Sequence, residues 1–281
     1  MTATTPVLPP ELERAIFELA AHTDPKAIPT LLLLAQRVRI WLEPLLYRVL
    51  QLGTGGAEYT GMILEAIKTK PAPFLVSNVQ NVLLHPCAGL NWVSLLESCP
   101  GIVNLVLLGS VACPSLLPLL GSMHVQRLTG SLARLFGRKT AVDWEHPLFG
   151  SVTHIYLLDW ITMEEEIWMK HLSTLPALTH LAFTRPDHSN LLRNILGVSP
   201  RLQVLLVLFH SQEAGGASLF LDEIDFSDVR LVVGMYVDDY FADWERGARG
   251  GEDIWIRADG FVARKRRGEI KEDRYLMVDS E

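Results

Sequence analysis

Histidines and cysteines are the first residues in this sequence whose types could do chemistry. Nine histidines and three cysteines are present, and the densest local gathering could bind a metal ion: His85, Cys87, Cys99, Cys113 and His124. Zinc ligands in proteins come in pairs at short, regular spacings, and none of these spacings matches one. We therefore expect free cysteines that pack as small hydrophobic residues, with no metal and no cofactor.

Adjacent carboxylates form a second group, because paired acids can perform general acid–base catalysis. Glu164-Glu165-Glu166 falls at a predicted helix start, and Asp238-Asp239 falls at a predicted loop-to-helix junction. Carboxylates at a helix N-terminus are stabilised by the helix dipole, so capping is the favoured interpretation. The chain contains no GxxxxGK[ST], GxGxxG, HExxH or GxSxG motif, and we expect a protein that is not an enzyme.

Two histidines, His154 and His180, occupy equivalent positions of adjacent sequence repeats. They are predicted to lie side by side, as structural residues or as sites of recognition or pH sensitivity. A hydrolase is the alternative from another class. It would need Asp159, His154 and His180 to converge in a pocket at hydrogen-bond distance.

The composition indicates a folded chain with an acidic C-terminal part. Hydrophobic residues make up 49% of the 281 positions and charged residues 20%, which is typical of globular proteins. Residues 213–281 hold 17 acidic and 10 basic side chains and carry the net charge of −7. An acidic balance without a basic stripe predicts no nucleic-acid binding. The run Arg264-Lys265-Arg266-Arg267 is either a solvated helix face or a nuclear localisation signal.

The N-terminal sequence, the cysteines and the apolar stretches indicate the cellular compartment of the protein. The N-terminus lacks the basic-then-apolar order of a secretory signal, and unpaired thiols suit a reducing compartment. No charged residue lies between Glu97 and Arg127, but prolines and glycines interrupt this stretch. A spanning helix needs about 20 continuous apolar residues. We expect a cytoplasmic or nuclear protein with no membrane partner.

The first element that would position binding residues is the leucine-rich block at 8–52. Pro9 and Pro10 suit the first turn of a helix whose apolar residues recur with helical spacing: Leu12, Ile16, Leu19 and Ala20. A second segment begins near Pro25 or Pro29 and runs through Leu34, and a third carries Trp41, Leu45, Leu46 and Val49. We predict three short helices. Such a short block cannot bury a self-sufficient core, so it must lean on the rest of the chain or on a partner.

This block resembles the F-box, in the divergent form common in mushroom-forming fungi. The resemblance rests on Leu8-Pro9-Pro10-Glu11-Leu12, on the leucine run from Pro29, and on Arg39-x-Trp41 followed by Leu45-Leu46-Tyr47-Arg48. The family implies docking onto the Skp-type adaptor of a cullin-RING ubiquitin ligase. The positions that would supply apolar contacts, in helix-in-groove fashion, are Leu8, Pro9, Leu12, Ile16, Leu19, Leu32 and Leu33.

From residue 74 onward an apolar residue recurs with others three and five positions later. Copies of this pattern begin 23 to 27 residues apart, at Val79, Ile102, Val125, Val152, Leu178, Leu202 and Val229. Helix-like segments lie between the copies, at 91–98, 115–121, 131–138, 162–172 and 189–197. This alternation predicts parallel strands joined by helices.

A repeat of this length with L-x-x-L-x-L strands resembles a degenerate leucine-rich repeat, whose strands form a parallel sheet along the inside of an arc. The family's ninth-position Asn or Cys occurs only as Cys87. Alternate strand residues should point to the concave side. The predicted target contacts on that side are Asn104, Arg127, His154, Tyr156, His180 and Thr184.

Leucine and valine are also frequent on the concave side. Leaving them exposed would forgo on the order of 10 kcal/mol of burial. Something should therefore cover them, either a protein partner or the C-terminal segment. That segment carries Tyr240, Phe241 and Trp244, followed by a helical stripe of Ile254, Trp255, Ala258, Phe261 and Val262.

Together these patterns predict a mixed α/β protein in three parts: an F-box-like helical module at 1–52, an irregular leucine-rich-repeat-like solenoid with a parallel sheet at 57–235, and a helical acidic tail at 236–281. We expect a substrate-recruiting ubiquitin-ligase subunit that binds a Skp-type adaptor and an unknown protein target. The alternative is a scaffold outside any ligase, in which the N-terminal helices merely cap the solenoid. Capping predicts that Leu12, Ile16 and Leu19 are buried against residues 57–90.

Overall fold

The computed structural model describes residues 8–87, 91–137, 141–159, 171–184, 189–236 and 240–277. They form a mixed α/β fold around one nine-stranded sheet. Every strand is parallel to its neighbours, and the strand order in the sheet follows the order in the chain. The predicted class, α/β with a parallel sheet, is confirmed.

The strands are β1 (Val49–Leu52), β2 (Asn81–Leu84), β3 (Asn104–Leu107), β4 (Arg127–Gly130), β5 (His154–Leu157), β6 (His180–Thr184), β7 (Val204–His210), β8 (Leu231–Tyr236) and β9 (Leu276–Met277). The helices are α1 (Pro10–Thr23), α2 (Ile28–Leu31), α3 (Gln36–Tyr47), α4 (Gly56–Lys68), α5 (Ala72–Asn78), α6 (Trp92–Ser98), α7 (Leu117–Leu120), α8 (Leu132–Leu135), α9 (Ser189–Val198), α10 (Ala214–Asp222), α11 (Tyr240–Ala248) and α12 (Ile254–Arg266). Within the described ranges, none of these helices is long and apolar enough to cross a membrane.

The first three helices form a small unit with its own core. α1 begins at Pro10, where a proline costs no hydrogen bond, and Glu11 and Glu13 suit the dipole of its first turn. Arg37 of α3 donates from Nη2 to Glu13 Oε1 at 2.7 Å and so ties α3 to α1. The buried core of the unit is Ala21, Ile28, Val38 and Leu42.

This unit differs from the prediction at two places. The second helix stops at Leu31 instead of running through Leu34. The third helix ends at Tyr47, and Val49, which the pattern assigned to that helix, begins β1. A single apolar residue suits a helix and a strand equally well, so the periodicity did not separate them. The sheet therefore begins before the glycine-rich segment at 53–56 rather than after it.

The strands are aligned so that equivalent residues of successive repeats lie side by side. One row of paired positions crosses the sheet from Val49 through Asn81, Asn104, Arg127, His154 and His180 to Val204. The strands predicted from Val79 to Leu202 are confirmed. The strand predicted from Val229 is also present, but its register is displaced by one residue. Leu231, not Val232, is the partner of Leu205. A one-residue shift exchanges the faces of a strand, so Val232 belongs to the inner face.

The outer face of the sheet carries the main core, which is built from the apolar repeat positions and the helices between strands. Asn91 caps α6 by accepting from the Val93 N–H, and Ser131 caps α8 by accepting from the Arg134 N–H. The helices predicted at 91–98 and 189–197 are confirmed. The segment 115–121 is a 3-10 turn followed by α7, and α8 covers Leu132–Leu135 of the segment predicted at 131–138. The helix predicted at 162–172 lies mostly outside the described residues.

The C-terminal segment covers the inner face of the sheet. Its predicted helical stripe forms α12 and is buried there: Ile254, Trp255, Ala258, Phe261 and Val262. In α11, Trp244 packs with Val49, Leu83 and Val106. The segment is not wholly helical, because β9 pairs with β8 beyond α12.

The basic run at the end of α12 is only partly solvated. Lys265 is 2% exposed, and its Nζ donates to the Leu231 carbonyl oxygen at 2.9 Å. The same ammonium lies 4.5 Å from the Tyr275 ring centroid, and burial lowers the pKa of Lys265 to about 8. The arginines at 264, 266 and 267 are exposed. The solvated-face interpretation therefore fits the arginines and is wrong for Lys265.

Candidate functional site

An apolar row on α1 is the first candidate site. Leu12, Ile16 and Leu19, spaced i, i+4 and i+7, are 54%, 54% and 67% exposed, and Leu8 ahead of them is 50% exposed. Burying a Leu or Ile side chain is worth about 1.5–3 kcal/mol. Exposed large apolar side chains grouped on one side of a helix are a feature of interaction sites. The exposed row is therefore a candidate interaction site.

The turn between α2 and α3 adds two exposed leucines, Leu33 (85%) and Leu34 (60%). We call Leu8, Leu12, Ile16, Leu19, Leu33 and Leu34 the N-terminal apolar face. Of the predicted adaptor contacts, Pro9 is also exposed, whereas Leu32 is half-buried against the core of the helical unit. Leu34 was not among the predicted contacts, although it lies in the same leucine run.

α3 provides the main contacts between the helical unit and the rest of the chain, chiefly with α5 and β1. Tyr47 meets Phe74 of α5 edge-to-face with ring centroids 5.3 Å apart, and Lys70 Nζ donates to Glu43 Oε1 at 2.8 Å. Capping predicted that the apolar residues of α1 would be buried against residues 57–90. Their exposure does not agree with that prediction.

The six predicted target contacts lie on neighbouring strands of the inner face, and the C-terminal segment contacts most of them. Trp244 Nε1 donates to Asn104 Oδ1 at 3.3 Å, and Arg127 Nη1 donates to Asp253 Oδ2 at 3.0 Å. Thr184 is exposed and forms a 3.1 Å hydrogen bond with the Tyr156 hydroxyl. The chain itself thus supplies the predicted cover. The role of these residues in target binding stays a prediction.

His154 and His180 form the centre of the covered face. Their rings are stacked with centroids 4.0 Å apart, and the Trp255 ring is perpendicular to both, at 5.2 and 5.8 Å. Each Nδ1 lies 2.8 Å from the hydroxyl of the preceding residue, Thr153 or Thr179. The predicted neighbourhood of the two histidines is therefore confirmed.

Burial keeps His154 neutral. Burial, reinforced by His180 and Arg127, lowers the pKa of His154 to about 2. His180 Nε2 lies 3.0 Å from Asp259 Oδ1. Between this face and the tail is a cavity of about 20 Å³, which is room for one water molecule.

Asp159 is engaged elsewhere, so the arrangement that a hydrolase would need is not formed. Its Oδ2 accepts from the Leu132 N–H at 2.6 Å, and Oδ1 accepts from the Ser131 hydroxyl, both at the start of α8. The carboxylate beside the histidines is that of Asp259. Among the described residues, no three His, Cys, Asp or Glu side chains gather to hold a metal ion.

The inner-face partners that sequence reasoning missed are two carboxylates of the tail, Asp253 and Asp259. One of them left a signal, because Asp253 directly precedes the apolar stripe of α12, where an N-cap residue is expected. Its second role, as the partner of Arg127, joins positions 126 residues apart and has no local signature.

No protein-family model matches this chain, and neither a curated protein nor a solved structure matches it.

Proposed function

We propose that this chain is a protein-interaction subunit that recruits substrates to a cullin-RING ubiquitin ligase, with its N-terminal apolar face docked on a Skp-type adaptor. The observation that carries the proposal is the exposure of that face on a helical unit whose own core is already filled. The three-helix layout and the leucine spacing resemble an F-box. The body of the chain then selects the target, and the ligase partner does the chemistry.

The exposed row suits a groove-shaped partner. Leu12, Ile16 and Leu19 lie on one side of α1, as the anchors of a helix bound in an apolar groove do. The Glu13–Arg37 ion pair holds α3 against α1 beside this row. An adaptor would therefore meet an assembled surface, and binding would not require the helices to fold first.

The body fits a leucine-rich-repeat-like solenoid. Support comes from the repeat of 23 to 27 residues, from strands paired in chain order, and from helices on the outer face. Because the tail covers most of the inner face, we assign target contact to its accessible rim. Thr184 is exposed there, and the side chains of Arg127 and Asp259 are 34% and 50% exposed.

Co-purification of the full chain with a Skp-type adaptor tests the proposal. We expect a complex that Leu12→Asp, Ile16→Asp and Leu19→Asp each weaken, because a buried unpaired carboxylate at the interface costs several kcal/mol, or about a hundredfold in affinity. Leu219→Asp is the matched control. Leu219 is 68% exposed on α10, compared with 67% for Leu19, and lies outside the N-terminal apolar face. Failure of wild type to bind, or equal loss with the control, would reject adaptor docking.

A further inference from the structure

β1 is an open edge of the sheet. In the part of the chain that the structure describes, β1 pairs with β2 on one side and has no strand neighbour on the other. The open side faces a slot with a volume of about 410 Å³. This size falls within the range of ligand-binding pockets, about 300–1,000 Å³.

The backbone of β1 determines which hydrogen-bond donors and acceptors line the floor of the slot. The carbonyl oxygens of Arg48 and Leu52 accept from β2 and the residue after it, at 3.0 Å from the Asn81 N–H and 2.8 Å from the His85 N–H. In a parallel pair the intervening residues direct their N–H and C=O groups to the opposite side. Val49 and Gln51 therefore present donors and acceptors to the slot, spaced as in any β-strand.

Two helices form walls of different chemistry. α4 contributes Tyr59, Ile63 and Ala66 on the outer side, and α11 contributes Glu245 and Arg249 on the inner side. Tyr59 is 54% exposed, so its ring stands at the rim of the slot. One wall is thus largely apolar and the other is charged.

The side chain of Gln51 joins the charged wall to the floor. Its Nε2 donates to Glu245 Oε2 at 3.1 Å, and Arg249 pairs with the same carboxylate at 2.7 Å. Because these charges already neutralise each other, the wall favours polar, uncharged groups over a strongly charged ligand.

We propose that the slot binds an extended segment of another protein, which adds to the sheet as a strand beside β1. An extended chain satisfies the slot-facing groups of Val49 and Gln51, as in other cases of strand addition at a sheet edge. Successive side chains of a strand point to opposite faces. The bound segment therefore alternates apolar residues, against Ile63 and Ala66, with polar residues, against Gln51 and the charged wall. The slot lies on β1, so this site does not depend on adaptor docking by α1.

Panning a library of random linear peptides against the purified full chain tests the proposal, with the enriched peptides as probes. We expect apolar–polar alternation in these peptides, and slower amide hydrogen exchange at Val49 and Gln51 by about tenfold or more on binding. N-methylation of the peptide at alternate positions should weaken binding by about tenfold or more, because it removes donors to the sheet edge.

Two tryptophan variants of α4 make the test specific to the slot. Ala66→Trp places an indole inside the slot and should weaken binding by about tenfold or more. Met62→Trp is the control, since Met62 is 67% exposed on the same helix and does not line the slot. Circular dichroism melting should show both variants folded like wild type.

Several results would overturn the proposal. They are the absence of enriched peptides, equal binding by the two tryptophan variants, or protection of amides remote from β1. Concentration-dependent protection of Val49 and Gln51 without any peptide would assign the edge to a second copy of this chain and would also overturn it.

Discussion

The imidazole rings of His154 and His180 are stacked face to face, 4.0 Å apart and inclined by only 5°. Burial disfavours a positive charge on His154, and the neighbouring His180 and Arg127 add to the cost of charging it. Trp255, which contacts both rings edge-on, belongs to α12. The charge state of His154 is therefore coupled to docking of the C-terminal segment on the sheet.

This coupling predicts that acid destabilises the protein. The unfolded chain protonates His154 near the ordinary pKa of 6.5, whereas the folded chain keeps it neutral down to about pH 2. The unfolded state binds more protons below pH 6.5, so each further unit of acidification removes about 1.4 kcal/mol from the free energy of unfolding. Urea unfolding at pH 7.5 and at pH 5.5 measures the loss.

His154→Gln removes this titrating group. The free energy of unfolding that is lost between pH 7.5 and pH 5.5 should be smaller in this variant than in wild type by about 1.4 kcal/mol. His22→Gln, at an exposed position of α1, should leave the wild-type loss unchanged. If His154→Gln loses as much stability on acidification as wild type does, burial of a neutral His154 is not the cause.

Asp253 has two structural roles, so its removal should lower the free energy of unfolding substantially. Its Oδ1 accepts from the Ile256 N–H at 2.9 Å and caps α12, and its Oδ2 pairs with Arg127. Loss of a cap costs about 1 kcal/mol, and an unpaired partner at a part-buried site adds about 1–3 kcal/mol. Asp253→Ala should lower the free energy of unfolding by about 2–4 kcal/mol in urea titrations.

Asp259→Ala is the comparison, because Asp259 lies on the same helix and also pairs with an inner-face residue. Its side chain is 50% exposed, so water can replace it as the partner of His180, and its loss should cost about 0–1 kcal/mol. The two alanine variants should therefore differ clearly in urea midpoint. Equal midpoints would mean that the part-buried Asp253–Arg127 contact adds nothing to the helix cap.

Local patterns were sufficient to predict most of the sheet. Each copy places apolar residues such as Leu105 and Leu107 at alternate positions, and the spacing between copies leaves room for one helix and two turns. Those constraints act within about 27 residues of sequence, and the strands from β2 to β7 were found where they indicated. The stripe of α12 was equally clear, because it has helical spacing and an N-cap at Asp253.

Contacts between distant segments could not be predicted in the same way. The apolar stripe of α12 requires a cover but does not specify which surface meets it, and the pairs Arg127–Asp253 and His180–Asp259 are separated by 126 and 79 residues. Val49 was predicted to lie in a helix. Its place in a strand depends on pairing with β2, 32 residues further along the chain, and local sequence does not specify that pairing. Leu32 was predicted as an adaptor contact, and in the structure it is half-buried against the core of the helical unit, a packing contact that the leucine run alone does not specify.

Lys265 supplies a prediction about the basic run at the end of α12. Its ammonium donates to the Leu231 carbonyl oxygen, and its stem lies among buried residues of the tail and β8. Lys265→Ala leaves that carbonyl without its donor, which should cost about 1–3 kcal/mol.

Arg266→Ala, one position away on the exposed side of the helix, should change stability by less than about 0.5 kcal/mol. Thermal melts at pH 7 compare the two variants under conditions in which Lys265, with a pKa of about 8, is mostly charged. If the run acted only as a solvated cluster, both alanines would leave the melting temperature unchanged. A lower melting temperature for Lys265→Ala alone would assign Lys265 to the core of the tail, and a nuclear-import role would then depend on the three arginines.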